Sequence, residues 1–294
     1  MADPEIVALR AKLASRPRSE DYRQRRLDLD ALGRSYGVAS DVTVEPTNAN
    51  GVRAEWTATP AASGDAALLY LHGGGYVIGS LDSHRHLAAE AGRASGCRTL
   101  TLDYRLAPEN PFPAAVEDAV AGYRHLLGRG LQPGRVALAG DSAGGGLVVA
   151  AMVAIRDAGL PQPACGWCLS PWVDMEATGE TMTSKAAADP TVQRAGILEM
   201  ARLYLGGADP RSPLAAPIYA DLSGLAPLLI QVGAAETLLD DALALAKAAG
   251  VADVRVALQI WPEMIHVWHL FHPELAAGRR AIAAGGDWVR AHKK

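Results

Sequence analysis

The sequence predicts an α/β fold with a mostly parallel central sheet whose two faces are both covered by helices. From residue 66 onward, short apolar segments with strand character alternate with longer helical segments, which is typical of parallel sheets with crossover helices. The strand segments are apolar at nearly every position, as expected for strands buried on both faces. A chain of 294 residues can bury one full core, so we expect a single domain over residues 1–294.

The composition describes an ordinary globular protein, with 49% hydrophobic and 20% charged residues. The formal net charge of −4 offers no basic surface for nucleic acid. No apolar run approaches the roughly 18 residues of a membrane span, and the charged N-terminus lacks the apolar core of a secretory signal. Three cysteines do not make a disulfide framework. We therefore expect a cytoplasmic protein with no nucleic-acid and no membrane partner.

Residues 1–38 are predicted to form one or two charged amphipathic helices, because leucine and isoleucine recur there at helical spacing. Two strands, 41–45 and 52–57, follow and should pair at one edge of the sheet. The turn at 48–51 contains Asn-Gly and favours a hairpin. Pro46 is expected to end the first strand.

The rest of the chain is predicted to alternate between strands and helices, with one interruption. The strands are expected at 66–72, 97–103, 135–139, 164–169, 227–232 and 253–260. The helices are expected at about 81–94, 113–127, 143–157, 236–249 and 274–291. Residues 174–222 break the alternation, with one helical run near 196–205. We interpret this segment as an insertion over the carboxyl end of the sheet, which forms a helical cap together with residues 1–38.

A candidate nucleophile follows the strand at 135–139. Residues 140–144 (GDSAG) join this strand to a long Ala-rich helix, which is the strand–turn–helix context of the G-x-S-x-G nucleophile elbow. The turn strains the backbone of Ser142, so Gly140 and Gly144 must lack side chains. Ser142 would then lie at a helix N-terminus, whose partial positive charge stabilises an alkoxide or oxyanion.

Three consecutive glycines, 73–75, follow His72 and another predicted strand. They expose backbone N–H groups without side-chain cover, which suits the oxyanion-hole role of H-G-G-G loops. No G-x-G-x-x-G or G-K-[ST] pattern supports nucleotide binding at this loop. His72 has no second ligand at metal spacing, and we expect it to shape the loop by hydrogen bonding.

A serine nucleophile needs a base, and the base needs an acid that orients it. In serine hydrolases of this architecture, the acid and then the histidine follow the serine on loops after late strands. His266 lies in the loop after the strand at 253–260 and is the predicted base. Its rivals His269 and His272 come too late for a strand-end loop.

The acid is expected in the loop after the strand at 227–232. Glu236 comes first after that strand, where a carboxylate can reach back towards the histidine. Asp240 and Asp241 lie a turn into the next helix, where a carboxylate also stabilises the helix N-terminus. We favour Glu236 over Asp240 as the acid.

With these motifs the chain resembles the hormone-sensitive-lipase-like esterases, the bacterial α/β-hydrolases that carry an H-G-G-G motif. The resemblance extends from residue 66 to the C-terminus, and its motifs occur in the family's order. They are HGGGY at 72–76, DYRLAPE at 103–109, PFPAAVEDA at 111–119, GDSAGG at 140–145, SPWVD at 170–174, GAAETLLD at 233–240 and His266.

The resemblance implies a serine carboxylesterase that acts on short- to medium-chain acyl esters through an acyl-enzyme, without a metal or organic cofactor. The implied triad is Ser142, His266 and Glu236, although many members carry aspartate at the position of Glu236. The implied oxyanion hole is formed by the amides of Gly73, Gly74 and Ala143. The implied partner is a small-molecule ester. Because many relatives form dimers, a homodimer through the strand near 253–260 is a further expectation.

Three other classes of protein remain as alternatives. An amidase, a lactonase or an arylformamidase would use the same triad, and only substrate tests separate them. A non-catalytic small-molecule receptor of this fold would have lost the histidine, whereas His266 is present. A redox or metal protein would use Cys165 and Cys168, but positions i and i+3 of a strand face opposite sides, and a redox pair favours a helix N-terminus.

Overall fold

The computed structural model describes residues 3–16 and 19–294; residues 1, 2, 17 and 18 of the predicted N-terminal helices lie outside the described part. The described residues contain one eight-stranded sheet in the order β1-β2-β4-β3-β5-β6-β7-β8. The strands are β1 (Thr43–Ala49), β2 (Val52–Ala58), β3 (Ser63–Leu71), β4 (Cys97–Leu102), β5 (Val136–Asp141), β6 (Cys165–Leu169), β7 (Leu228–Gly233) and β8 (Val256–Trp261). The pairs β1–β2 and β2–β4 are antiparallel, and the five other pairs are parallel. The predicted α/β fold with a mostly parallel sheet is confirmed.

Nine α-helices are present in these two described ranges. They are α1 (Pro4–Ala14), α2 (Tyr22–Tyr36), α3 (Leu81–Ser95), α4 (Ala114–Gly128), α5 (Ala143–Asp157), α6 (Thr181–Ser184), α7 (Arg194–Leu205), α8 (Leu239–Val251) and α9 (Ala276–His292). Core residues of α1, α3 and α9 belong to one apolar cluster, and those of α4, α5, α7 and α8 belong to another. Neighbouring residues of β3 alternate between these clusters, because Leu68 packs in the first and Leu69 in the second. Helices therefore cover both faces of the sheet.

The N-terminal hairpin differs from the prediction at Pro46. This residue lies inside β1, which extends to Ala49, so the expectation that Pro46 ends the strand is wrong. β1 is the edge strand of the sheet, and an edge position tolerates a residue that lacks an N–H donor. The predicted turn is present as Asn50 and Gly51, whose φ angles of 54° and 99° suit the two-residue turn that joins antiparallel strands.

The N-terminal helices and the insertion both lie beside the carboxyl end of the sheet. Helix α2 packs against α3 at Gly33, where a Cβ atom would lie 2.4 Å from the Ser83 carbonyl oxygen. Arg26 of α2 donates to the Val77 carbonyl at 2.7 Å, in the loop that follows the three glycines. The insertion contains α6, α7 and a short 3₁₀ turn. Among the described helices, none is long and apolar enough to cross a membrane.

Candidate active site

Ser142 lies in the sharp turn between β5 and α5. Its backbone has φ 54° and ψ −120°, a conformation that is costly for a residue with a side chain. Strand and helix approach so closely here that a Cβ on Gly140 would lie 2.4 Å from the Gly144 carbonyl oxygen. A Cβ on Gly144 would lie 1.9 Å from the Leu71 carbonyl oxygen. Both glycines are therefore needed for the turn, which places the Ser142 hydroxyl at the N-terminus of α5, where the helix favours a negative oxygen.

His266 and Glu236 form a hydrogen-bonded chain with Ser142. Glu236 follows β7 and His266 follows β8, so both residues come from the carboxyl ends of neighbouring parallel strands. Atom Nε2 of His266 lies 2.9 Å from Ser142 Oγ, and atom Nδ1 lies 2.6 Å from Glu236 Oε2. The structure thus brings together the three residues predicted from chain order, in the arrangement that a nucleophile, a base and an orienting acid require.

Burial and charge act in opposite directions on His266. The residue is only 8% exposed, and burial alone would lower the pKa of its ring. The hydrogen bond to Glu236 and the negative charge of that carboxylate outweigh burial, so the pKa of His266 is raised above its ordinary value. A raised pKa makes Nε2 a better acceptor for the serine proton, and it also means that the ring becomes protonated at a higher pH.

The alternative triad residues are engaged in other contacts. Asp240 Oδ2 accepts from the Thr181 N–H of the insertion at 2.9 Å. Asp241 Oδ2 accepts two backbone N–H groups at the start of the insertion, both at 2.9 Å. His269 Nε2 lies 3.1 Å from the Gln231 side-chain oxygen in the core. The structure therefore places the favoured acid, and not its rivals, against the predicted base.

Ser170 was missed by the sequence-based prediction, although it holds the Glu236 carboxylate in place. Its hydroxyl donates to Glu236 Oε1 at 2.8 Å, and the Gly233 N–H donates to the same oxygen at 2.5 Å. The Ser170 oxygen also accepts from the Val267 N–H at 3.1 Å, next to the histidine. Ser170 follows β6 directly, and this position at the end of a central parallel strand is the signal that could have identified it.

The glycine loop after β3 differs from the prediction at Gly73. The Gly73 N–H donates to Asp141 Oδ1 at 3.1 Å, and this bond takes it away from the predicted role as an oxyanion donor. Gly74 and Gly75 line the cavity in front of the nucleophile. Ala143 is the first residue of α5, a position whose N–H has no acceptor within a helix. The amides of Gly74 and Ala143 therefore stay candidates for the oxyanion hole, joined by that of Gly75.

His72 shapes the glycine loop by hydrogen bonding, in agreement with the prediction. Its Nδ1–H donates to the Gly73 carbonyl at 2.8 Å, and its ring stacks on Tyr104 with centroids 4.2 Å apart. Burial, with a further contribution from the charge of His84, lowers the pKa of His72 to about 3. The ring is therefore neutral near pH 7 and acts as a fixed support for the loop.

A cavity of about 530 Å³ opens in front of Ser142. Ser142, His266 and Trp172 line it. The N-terminal helices and the insertion also line it, with polar side chains, among them Arg16, Arg25, Asp28 and Gln193, and with apolar ones. The apolar side chains include Leu13, Leu29, Leu32, Val192, Ile197 and Met200. The helices and the insertion therefore supply both polar and apolar side chains to the site.

Cys165 and Cys168 do not form a pair. Both lie in β6 with free, buried thiols, and they pack in different apolar clusters on opposite faces of the sheet. Burial raises the pKa of the Cys165 thiol to about 12. A buried, protonated thiol is a poor nucleophile and a poor metal ligand, so these residues do not support the redox or zinc alternative.

Comparison with known proteins agrees with this geometry. The family model that describes the α/β hydrolase fold matches residues 68–270. An acetyl-hydrolase of Streptomyces hygroscopicus is 48% identical over 292 residues, which cover 99% of this chain and 97% of the relative. The fold and the site therefore define an α/β hydrolase.

Comparison with solved structures identifies the family within the α/β hydrolases. The crystal structure of an esterase from the bacterial hormone-sensitive lipase family is 51% identical, covers 100% of both chains and has a TM-score of 0.97. A crystal structure of EstE5 soaked with p-nitrophenyl butyrate is 46% identical, covers 99% of both chains and has a TM-score of 0.96. The chain belongs to the bacterial hormone-sensitive-lipase family of carboxylesterases, as its motifs predict.

Proposed function

We propose that this carboxylesterase hydrolyses short- to medium-chain acyl esters with Ser142 as nucleophile, His266 as base and Glu236 as acid. The observation that carries the proposal is the pair of contacts at His266, 2.9 Å from Nε2 to Ser142 Oγ and 2.6 Å from Nδ1 to Glu236 Oε2. The three side chains come from three different strand ends. Local sequence alone does not bring such residues together, so the constellation is a product of the fold.

The reaction proceeds in two halves. In the first, His266 takes the Ser142 proton at Nε2 while Oγ attacks the ester carbonyl carbon. The Glu236 carboxylate stabilises the imidazolium that forms. The tetrahedral intermediate then collapses, the bond to the alcohol oxygen breaks, and His266 returns the proton to the departing alcohol. In the second half, His266 deprotonates a water molecule, which attacks the acyl-enzyme and releases the acid and the free serine.

The negative oxygen of each tetrahedral intermediate needs preorganised donors. We assign this role to the amides of Gly74 and Gly75 in the glycine loop and to the amide of Ala143 at the N-terminal end of α5. Removal of one such donor typically costs about 2.7–4 kcal/mol of transition-state stabilisation. The glycine loop is therefore part of the catalyst and not only a connection.

The size of the cavity supports a small substrate. A volume of about 530 Å³ lies in the middle of the roughly 300–1,000 Å³ that small-molecule sites occupy. It suits one short or medium acyl chain with its alcohol group. Two relatives are associated with small acyl groups by their names, an acetyl-hydrolase and an enzyme soaked with a butyrate ester. The apolar side chains of the cavity then bind the carbon chain by the hydrophobic effect.

We further propose that the N-terminal helices and residues 174–222 act as one helical cap over a single catalytic core. Their residues line the cavity in front of Ser142. We also propose that the free edge of β8 is the contact of a homodimer. β8 is the last strand of the sheet, and its Ile260 is 46% exposed.

The first test compares hydrolysis of p-nitrophenyl butyrate by the wild type and by Ser142→Ala. Loss of the nucleophile is expected to lower kcat by roughly 10⁴–10⁶. Ser223 is an exposed serine in the loop before β7. The variant Ser223→Ala is therefore the matched control and should keep wild-type activity. An inactive wild type, or an unimpaired Ser142→Ala variant, would contradict the proposal.

The same two proteins should be assayed with butyryl p-nitroanilide, a lactone and an N-formylarylamine. The proposed esterase cleaves the p-nitrophenyl ester with the highest kcat/KM. A higher kcat/KM for one of the other substrates, abolished by Ser142→Ala, would keep the triad and replace the substrate class.

A further inference from the structure

Asp141, directly before the nucleophile, forms a buried polar cluster that the proposed reaction does not use. It is 2% exposed, and three donors meet its carboxylate. The Tyr70 hydroxyl and the Gly73 N–H donate to Oδ1 at 2.8 and 3.1 Å. The His84 Nε2–H donates to Oδ2 at 3.2 Å. One carboxylate thus joins β3, the glycine loop and α3 beside the active site.

This carboxylate carries a negative charge close to the place where the oxyanion forms. Burial alone would raise the pKa of Asp141, but the charge and hydrogen bond of His84 and the Tyr70 hydroxyl outweigh it and lower the pKa. The negative charge of Asp141 reaches the active site, since it contributes to raising the pKa of His266. In a buried site, such a charge opposes the formation of a second negative charge nearby.

The position of that carboxylate is therefore important, and His84 Nε2 lies directly against it, 3.2 Å from Oδ2. The residue is 2% exposed and lines the active-site cavity. Its Nδ1 lies 2.7 Å from Ser83 Oγ, which also lies 2.9 Å from the Ser80 carbonyl oxygen. These contacts fix the orientation of the ring, so that Nε2 stays directed at Asp141.

We propose that His84 is a positioning residue, which fixes the Asp141 carboxylate so that Asp141 holds the glycine loop in place beside the oxyanion site. The inference rests on the proposed function of Ser142. His84 acts through Asp141 and the Gly73 amide, and it takes no part in bond making or breaking.

Other titratable groups face this pair from every side. Tyr70 comes from β3, His72 from the glycine loop, His86 from α3 and His266 from the loop after β8. Burial lowers the pKa values of His72 and His86 to about 3 and about 4, so both rings are neutral near pH 7.

The test measures kcat and KM of His84→Leu with p-nitrophenyl butyrate over a range of pH. With the Asp141 carboxylate no longer fixed, the glycine loop loses its support, and kcat at neutral pH should fall about ten- to a hundredfold with little change in KM. Loss of His84 also raises the pKa of Asp141, because His84 holds it down. Asp141 then takes up a proton as the pH falls and becomes a weaker acceptor for the Gly73 N–H, so the ratio of wild-type to variant kcat should grow towards acid pH. In His84→Gln the amide N–H replaces Nε2–H and should recover part of kcat.

Two controls separate this role from a purely structural one. His84→Leu in an Asp141→Asn background should change kcat by no more than about twofold, because the carboxylate through which His84 acts is gone. His86→Leu removes another buried histidine of α3, which contacts the Leu270 carbonyl at 2.9 Å. It should lower the melting temperature without a pH-dependent kcat ratio.

A kcat ratio that stays constant with pH, or an equal loss in the Asp141→Asn background, would overturn the inference. Ser142→Ala, assayed under the same conditions, distinguishes failure of the His84 proposal from failure of the proposed function. If Ser142→Ala is inactive and His84→Leu resembles the wild type, only the role of His84 is lost. If Ser142→Ala keeps activity, the proposed function itself fails.

Discussion

In the loops after β5, β7 and β8, the side chains are placed by buried hydrogen bonds, whereas the ion pairs of the helices that cover them are partly exposed. His266 has buried partners at 2.9 and 2.6 Å, and the Glu236 carboxylate is fully buried. On the covering side, Lys12 of α1 pairs with Glu274 at 2.8 Å, but both side chains are more than a third exposed. The two regions line the same cavity.

This difference has a physical consequence. An exposed ion pair contributes about 0–1 kcal/mol, so these pairs add little to the free energy of unfolding and can be changed without loss of the fold. Removing one partner of a buried charged pair instead leaves an uncompensated charge and costs about 3–5 kcal/mol. We infer that the strand-end loops determine the chemistry and that the covering helices determine which esters enter. Changes in the loops should act on kcat, and changes in the helices should act on KM.

The largest effect is expected at the acid of the triad. Glu236→Gln should lower kcat by roughly 10⁴, because the amide no longer stabilises the imidazolium. In the wild type, Glu236 raises the pKa of His266, so wild-type activity should fall as the pH drops through that raised pKa. The variant should show this acid limb at lower pH. A pH profile of kcat for both proteins measures the two effects together.

Asp240→Asn is the matched control for Glu236→Gln. Asp240 accepts from Thr181 of the insertion, and an asparagine oxygen can accept the same N–H. Its kcat and its acid limb should therefore match the wild type. A larger loss in Asp240→Asn than in Glu236→Gln would assign the acid to Asp240.

The proximity of the proposed triad residues could be predicted from the sequence, because the loops that follow parallel strands converge at one end of the sheet whatever their distance along the chain. Ser142, Glu236 and His266 each follow a strand that the apolar pattern reveals. The bond from Gly73 to Asp141 joins residues 68 positions apart. No pattern in the sequence shows which of three glycine amides such a contact will occupy.

The edge of the sheet and the attachment of the helices were less accessible to prediction. Whether Pro46 ends a strand depends on the edge position of β1, which is a property of the whole sheet. Arg26 of α2 pairs with Glu109 at 2.7 Å, 83 residues away, and no local spacing indicates this contact. Charged helices of this kind reveal their amphipathic character in the sequence but not the surface on which they pack.

The next largest effect is expected where α2 contacts α3. Gly33→Ala places a Cβ atom 2.4 Å from the Ser83 carbonyl oxygen, so α2 must shift, at a cost of about 1–3 kcal/mol in unfolding free energy. Because α2 lines the cavity, KM for p-nitrophenyl butyrate should rise while kcat stays close to the wild type. Urea denaturation and steady-state kinetics check the two parts. A fall in kcat with an unchanged KM would contradict the division between loops and helices.

Gly128→Ala is the control for that substitution. Gly128 also lies in a helix, at the end of α4, but a Cβ atom there would meet nothing within 4 Å. It should leave KM unchanged and leave the unfolding free energy equal or slightly higher, since alanine favours a helix by up to about 1 kcal/mol over glycine.

The smallest effect on activity is expected at Asp241, which binds the start of the insertion to α8. Burial raises its pKa from 3.8 to about 7, against the lowering effect of two backbone N–H groups. The folded protein therefore binds a proton that the unfolded chain releases above pH 3.8, and this contribution to stability is lost as the pH rises to about 7. Asp241→Asn keeps an acceptor and has no charge to bury. The melting temperature of the variant relative to the wild type should increase over this pH interval, and a constant difference would show that Asp241 is ionised in the folded state throughout.

The most direct test of the account is to trap the acyl-enzyme. Wild type, Glu236→Gln and Gly33→Ala are mixed with p-nitrophenyl butyrate, quenched in acid within the first turnover and digested for peptide mass spectrometry. The account predicts one butyryl group on Ser142 in all three proteins. It should form at the wild-type maximal rate in Gly33→Ala and far more slowly in Glu236→Gln. Butyrylation of another residue, or equal rates in the wild type and Glu236→Gln, would contradict the assignment of the chemistry to these strand-end loops.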